Sequence, residues 1–147
     1  LPIDVRPFFS PLWVPCNKPP YGMLTAVDLV THKVIWSQPF GTARDSGPFG
    51  IPSMLPITLG VPNTGGAVVT KSGLVFIGAT QEHSFRAFGT ATGKELWQAR
   101  LPGAGNATPL TYWSPKSKRQ FVVIAAGGFV YLGGKQSDAI VAYALPK

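Results

Sequence analysis

Apolar and polar positions alternate in short runs along most of this chain, and turn residues separate the runs. Residues 23–29 and 34–38 read as two strands around a polar turn from Asp28 to Lys33. From Gly66 the pattern tightens. Residues 68–70, 74–79, 84–88 and 95–99 are β-prone, and Lys71-Ser72-Gly73, residues 81–83 and residues 90–94 divide them with turn chemistry. This spacing predicts a four-stranded antiparallel meander. Residues 108–113, 120–126 and 139–144 predict three more strands. No stretch holds a 3.6-residue period for long, so no long helix is expected. Residues 1–20 carry six prolines and should be extended, irregular chain. Residues 41–62 form a Pro/Gly-rich loop of a length usually met where a loop is functional or packed against something larger.

Composition narrows the class. The 147 residues hold 17 Gly and 15 Pro, with 45% hydrophobic and only 13% charged residues. That excludes a disordered chain, which needs low hydrophobicity and high charge, and a helical bundle. Cys16 stands alone, so a disulfide scaffold is excluded too. A turn-rich, apolar, all-β protein remains. The net charge is +7, but its basic residues are dispersed. The one cluster, Lys116, Lys118 and Arg119, lies between two apolar runs and reads as a solvated hairpin tip; so short a cluster neutralises few phosphates, and no nucleic-acid partner is expected. The first six residues lack the basic start and apolar core of a secretory signal. The longest nearly apolar run, 121–134, is shorter than the ~20 residues of a membrane span and is broken by glycines. The absence of an initiator Met suggests a mature product or a fragment.

The chain also matches itself. Ala26, Thr31, Lys33 and Trp36 recur as Ala87, Thr92, Lys94 and Trp97 at a constant offset of 61 residues. A repeat of this length with four short strands per unit points to a β-propeller blade. The alanine must be small where strands pack closely. Gly93 can take φ > 0 freely, whereas His32 occupies the matching place in a less ideal first copy. Trp36 and Trp97 close their hairpins with a large apolar face, and each indole N–H needs a partner.

This repeat resembles the tryptophan-docking motif of the quinoprotein dehydrogenases, A-x-D-x-x-T-G-K-x-x-W, in which such tryptophans pack between the blades of an eight-bladed propeller. Trp36 and Trp97 take that structural docking role in the resemblance. Scaffold propellers, including an outer-membrane assembly lipoprotein family, share the motif. The segments between the repeats carry the resemblance further. Pro20-Tyr21-Gly22, the run from Gly41 through Ile51-Pro52, Gly60-Val61-Pro62-Asn63-Thr64-Gly65-Gly66, Gly105-Asn106-Ala107-Thr108-Pro109 and Phe121 through Gly127-Gly128 are similar to the C-terminal part of membrane-type quinoprotein glucose dehydrogenases. So is the end of the chain, Val141 to Pro146. Quinate/shikimate dehydrogenases of the same group match nearly as well.

The resemblance implies a partial β-propeller, the last two to three four-stranded antiparallel blades of eight. It divides the chain into an irregular lead-in (1–20), a partial blade plus long loop (21–65), a blade (66–100) and a last, incomplete blade (101–147). It implies pyrroloquinoline quinone (PQQ) with Ca²⁺ or Mg²⁺, oxidation of a sugar or polyol, ubiquinone as electron acceptor, and a place on the periplasmic side of a bacterial inner membrane. The catalytic Asp, a cofactor-binding Lys, most metal ligands and the membrane helices lie upstream in such enzymes. None of Asp4, Asp28, Asp45 or Asp138 sits in the catalytic-base motif, so no catalytic or metal-binding residue is assigned here and the isolated chain is expected to be inactive. The turn of Asn63, Thr64, Gly65 and Gly66 resembles the segment beside the quinone ring. Phe129 stands where such enzymes commonly have His, and as an aromatic wall it would offer neither donor nor acceptor. The alternative function is a non-catalytic propeller scaffold for protein partners.

Other candidates carry less. Gly103-Ala104-Gly105 is followed by Pro109 rather than a helix, which defeats a nucleotide-loop reading. His32 and His83 lack spaced metal-ligand partners. Cys16 reads as an idle thiol, and the sequon at Asn106-Ala107-Thr108 is followed by Pro109. Asp28 reads as serving its own turn.

Overall fold

The computed structural model describes residues 8–128 and 135–145. Among these residues nine strands run in chain order: β1 (Met23–Val27), β2 (Val34–Pro39), β3 (Ala67–Val69), β4 (Leu74–Ile77), β5 (Ser84–Gly89), β6 (Glu95–Arg100), β7 (Leu110–Ser114), β8 (Arg119–Ala125) and β9 (Ile140–Tyr143). One 3₁₀ turn, Pro48–Gly50, interrupts the long loop, and no α-helix occurs among the described residues. The strands form three antiparallel sheets ordered β1-β2, β3-β4-β5-β6 and β7-β8-β9. The architecture is all-β and fits a partial propeller, with the four-stranded meander in the middle.

Boundaries differ from expectation by one or two residues, each for a local reason. β1 stops at Val27 because Asp28 Oδ1 accepts the Val30 and Thr31 N–H groups, both at 2.8 Å, and turns the chain. β4 stops at Ile77 because Ala79 enters the left-handed region (φ 51°) and donates its N–H to Gly105 instead of a sheet neighbour.

The 61-residue repeat is reproduced pair by pair. Ala26 faces Trp36 as Ala87 faces Trp97, Thr25 faces Ser37 as Arg86 faces Gln98, and a bulge follows each alanine. At both turns the first residue donates to the lysine carbonyl, Asp28 N–H to Lys33 O and Gly89 N–H to Lys94 O. His32 and Gly93 both take positive φ, 56° and 68°.

Packing joins the sheets. Phe40, Val75, Ile77, Ala79 and Phe88 form one core between the first and middle sheets, with Leu24 against it. Phe85, Leu101, Val122, Ile124 and Ala126 form the second, between the middle and last sheets, with Trp97 and Tyr143 against it. The middle sheet is therefore covered on both faces. Trp36 lies on the β5–β6 turn: its Nε1–H donates to Thr90 O at 2.7 Å, and its ring sits where a Gly93 side chain would be. Trp97 meets Phe85 and Tyr143 edge-on, with ring centres 5.9 and 4.9 Å away.

Candidate functional site

Short turns gather at one end of the sheets and the long connections at the other. Thr90 N–H donates to Gly73 O, bringing the β3–β4 and β5–β6 turns together. At the opposite end Ala79 bonds Gly105, Leu101 bonds His83, and Gly128 bonds Ala104, so the connections after β4, β6 and β8 meet. The Asn63, Thr64, Gly65, Gly66 turn lies in this second group.

That turn is held from two sides. Asn63 forms an isolated bridge with Thr80, and Thr64 donates its N–H to Ala79 O at 2.8 Å. From the other side, Asn106 Nδ2 donates to Thr64 O at 3.0 Å and to Thr64 Oγ1 at 3.2 Å. The paired glycines have a visible use. A Cβ on Gly65 would come within 2.5 Å of Asn106 O, and one on Gly66 would collide with the Thr108 side chain. Both are needed because the lead into β7 crosses here. Asn63, Thr64 and Gly65 keep an exposed face. The Asn106 Oδ1 atom is buried and has no partner among the described residues. Phe129 lies outside the described residues.

The long loop is clamped to the middle sheet by charged groups, one set buried and one partly exposed. Glu82, 2% exposed, accepts from the Thr42 N–H (3.0 Å) and hydroxyl (2.9 Å), from Ser84 Oγ (3.3 Å), and from Arg86 Nη2 at 2.6 Å. Arg86, 4% exposed, also lies 3.2 Å from Glu95 and stands over the Phe40 ring. A second clamp joins Asp45 to both Arg100 guanidinium nitrogens, at 2.6 and 2.8 Å, and to the His83 N–H at 2.9 Å. Burial pushes the Asp45 carboxyl up, but Arg100 and the His83 N–H outweigh it and hold it below the ordinary carboxylate range. The same pairing raises Arg100.

Sequence reasoning did not single out these clamps. A carboxylate and a guanidinium four residues apart around a strand start, Glu82 and Arg86, were the one local signal. Thr42 reaches Glu82, and Asp45 reaches His83, across some 40 residues, and Asn106 reaches Thr64 across 42. Among the described residues no three His, Cys, Asp or Glu side chains gather as a metal site, and no helix is long and apolar enough to cross a membrane. Cys16 is exposed. Lys116 and Lys118 are exposed at the β7–β8 turn, while Arg119 bonds Leu145 O and covers the Phe121 ring.

Comparison with known proteins gives a consistent picture. Residues 1–122 match the family described as PQQ: Glucose/ethanol/alcohol dehydrogenase, beta-propeller domain. The chain is 50% identical over 144 residues to a probable quinate dehydrogenase (quinone) of Xanthomonas campestris pv. juglandis, covering 98% of this chain and 18% of that protein. It is 46% identical over 146 residues to quinoprotein glucose dehydrogenase A of Acinetobacter calcoaceticus, again covering 98% and 18%. The structure of quinohemoprotein alcohol dehydrogenase from Comamonas testosteroni superposes with a TM-score of 0.58 at 27% identity, over 88% of this chain and 17% of that one. The chain thus spans under a fifth of the length of these relatives.

Proposed function

The chain belongs to the PQQ β-propeller family of glucose/ethanol/alcohol dehydrogenases, and from that premise we propose that it forms the C-terminal blades of a membrane-associated quinoprotein dehydrogenase on the periplasmic side of the inner membrane. The parent oxidises a sugar or polyol hydroxyl and passes the electrons to ubiquinone. Near-complete matching of this chain to relatives more than five times its length carries the reading. The 50% identity to a quinate dehydrogenase favours a second reading within the family, a quinate or shikimate substrate. In this proposal residues 1–20 are a lead-in, 21–65 a partial blade and long loop, 66–100 a blade, and 101–147 the last one. Trp36 and Trp97 are the docking tryptophans between blades.

The residues present fit the wall of a cofactor site rather than its base or metal shell. Gly65 and Gly66 are filled on their Cβ side by the chain's own Asn106 and Thr108, so no cradle is left there, while Asn106 Oδ1 remains a buried acceptor with no partner among the described residues. PQQ, when bound with Ca²⁺ or Mg²⁺, supplies a quinone that accepts hydride. This chain's own residues supply position. Asn106 fixes the height of Thr64, the Asn63–Thr80 bridge fixes the turn's approach, and the Glu82 and Asp45 clamps hold the long loop against the same end.

The test uses full-length parent protein freed of cofactor and given PQQ, Ca²⁺ or Mg²⁺ and a redox dye. PQQ-dependent dye reduction with glucose, quinate or shikimate is expected. No reduction with any of them would overturn the enzyme reading.

A further inference from the structure

We propose that the cleft between residues 8–16 and the long loop takes the ring of a quinone, the electron acceptor of the parent enzyme. The inference rests on the quinone-linked dehydrogenase reading above. The cleft measures about 440 Å³, within the range of small-molecule sites. Its walls are the rings of Phe9, Trp13 and Tyr21 and the side chains of Leu59 and Val61. Among the described residues Asp45 is the only charged one that lines it, beside the polar Ser46, Ser53 and Gln81, and both of its carboxylate oxygens are already taken by Arg100 and the His83 N–H. Ser53 is likewise engaged with Ala43 O and the Leu55 N–H. The aromatic walls offer faces on which a neutral, flat ring carrying two carbonyl acceptors can stack. The Tyr21 hydroxyl and the Trp13 Nε1–H have no protein partner among the described residues and can donate to those carbonyls.

Two further observations point to this cleft. Bulky residues rarely adopt positive φ, yet Trp13 (61°), Phe49 (57°) and Met54 (59°) do so in the two segments that wall it. The lead-in is fixed in that shape by the Phe9–Pro15 bridge and tied to the loop by Phe49 N–H donating to Leu12 O at 2.8 Å. Val61 and Pro62 then run directly into Asn63, so the cleft adjoins the turn assigned to the cofactor wall. A quinone seated there leaves as quinol, having taken up the two electrons and two protons given up by the reduced cofactor.

The experiment uses the full-length protein and ubiquinone-1, a short-chain soluble quinone. Trp13 is 67% exposed in this chain, and circular dichroism of the Trp13→Ala protein checks that its fold is kept. The substitution should raise the KM for ubiquinone-1 about five- to tenfold, while the substrate KM and the rate with an artificial dye stay within about twofold. Tyr21→Phe, which removes only the hydroxyl, should give a smaller rise in the same constant. Independently of turnover, ubiquinone-1 should quench tryptophan fluorescence of the cofactor-free protein, and Trp13→Phe should abolish most of that quenching. An unchanged quinone KM together with unchanged quenching would overturn the cleft assignment, even where dye reduction proceeds normally. Loss of PQQ-dependent dye reduction in the unsubstituted protein would instead sink the dehydrogenase reading while the quenching still reports on the cleft.

Discussion

The two copies of the repeated hairpin share a register, a bulge and a left-handed turn residue, yet live in different surroundings. In the second copy Gly93 is buried beneath the Trp36 ring, and the Thr90 carbonyl receives the indole N–H. In the first copy the tip carries Leu29 and Val30 at 84% and 89% exposure, and nothing among the described residues covers His32 in the same way. The matching pair below the bulge differs just as much. Thr25 and Ser37 bond each other at the surface, 2.8 Å apart, whereas Arg86 is buried with Glu82 and Gln98 bonds Ser84. Local turn chemistry therefore suffices to build the hairpin. Burial is conferred by the neighbouring sheet, and with it come the charges and the close-packed glycine that a covered hairpin can hold.

The largest expected effect breaks the buried side of this pair. Arg86→Ala leaves Glu82 buried without its cation and should cost about 3–5 kcal/mol in denaturant unfolding, whereas Thr25→Ala at the matching surface position should stay within ~0.5 kcal/mol. Comparable losses at both positions would erase the distinction. The two turns should respond next, and with opposite signs. Gly93→Ala forces a side chain into the left-handed region and into the Trp36 ring, for a loss of about 1–3 kcal/mol. His32→Gly removes strain without touching a neighbour and should raise stability by up to about 1 kcal/mol. The smallest effect is local and pH-dependent. Because the folded-state Asp45 carboxyl is depressed, its contribution is complete above the ordinary carboxylate range, near pH 4, and is lost as pH falls through the lowered value. Proteolysis within residues 41–53 should therefore accelerate on acidification, and Asp45→Asn should show the fast, pH-independent rate throughout.

Much of this fold was legible in the sequence because its signals are local. Strands such as β5 and β6 announce themselves through β-prone runs and a Thr-Gly-Lys turn, and the repeat of Ala, Thr, Lys and Trp marks two equivalent hairpins whose shared register, down to the Ala26–Trp36 and Ala87–Trp97 pairs, the structure supplies. The indole partner of Trp36 was predictable as a need but not as Thr90, since 54 residues separate them. The site was less legible. Glycines at 65 and 66 signal a close approach, but only the fold reveals that the approaching group is the 106–108 segment of the chain itself. The Glu82 and Asp45 clamps were invisible for the same reason, since an ion pair or hydrogen bond closed by a distant loop has no composition signature until that loop is placed.

Exchange of the Trp36 indole proton tests most directly whether a neighbouring sheet, rather than the hairpin's own sequence, buries the repeat. Followed by NMR in the intact protein, that proton should be protected together with the β5 amides, and Gly93→Ala should release it while leaving the β1–β2 amides unchanged. Exchange at the rate of a free indole, with β5 still protected, would contradict the account.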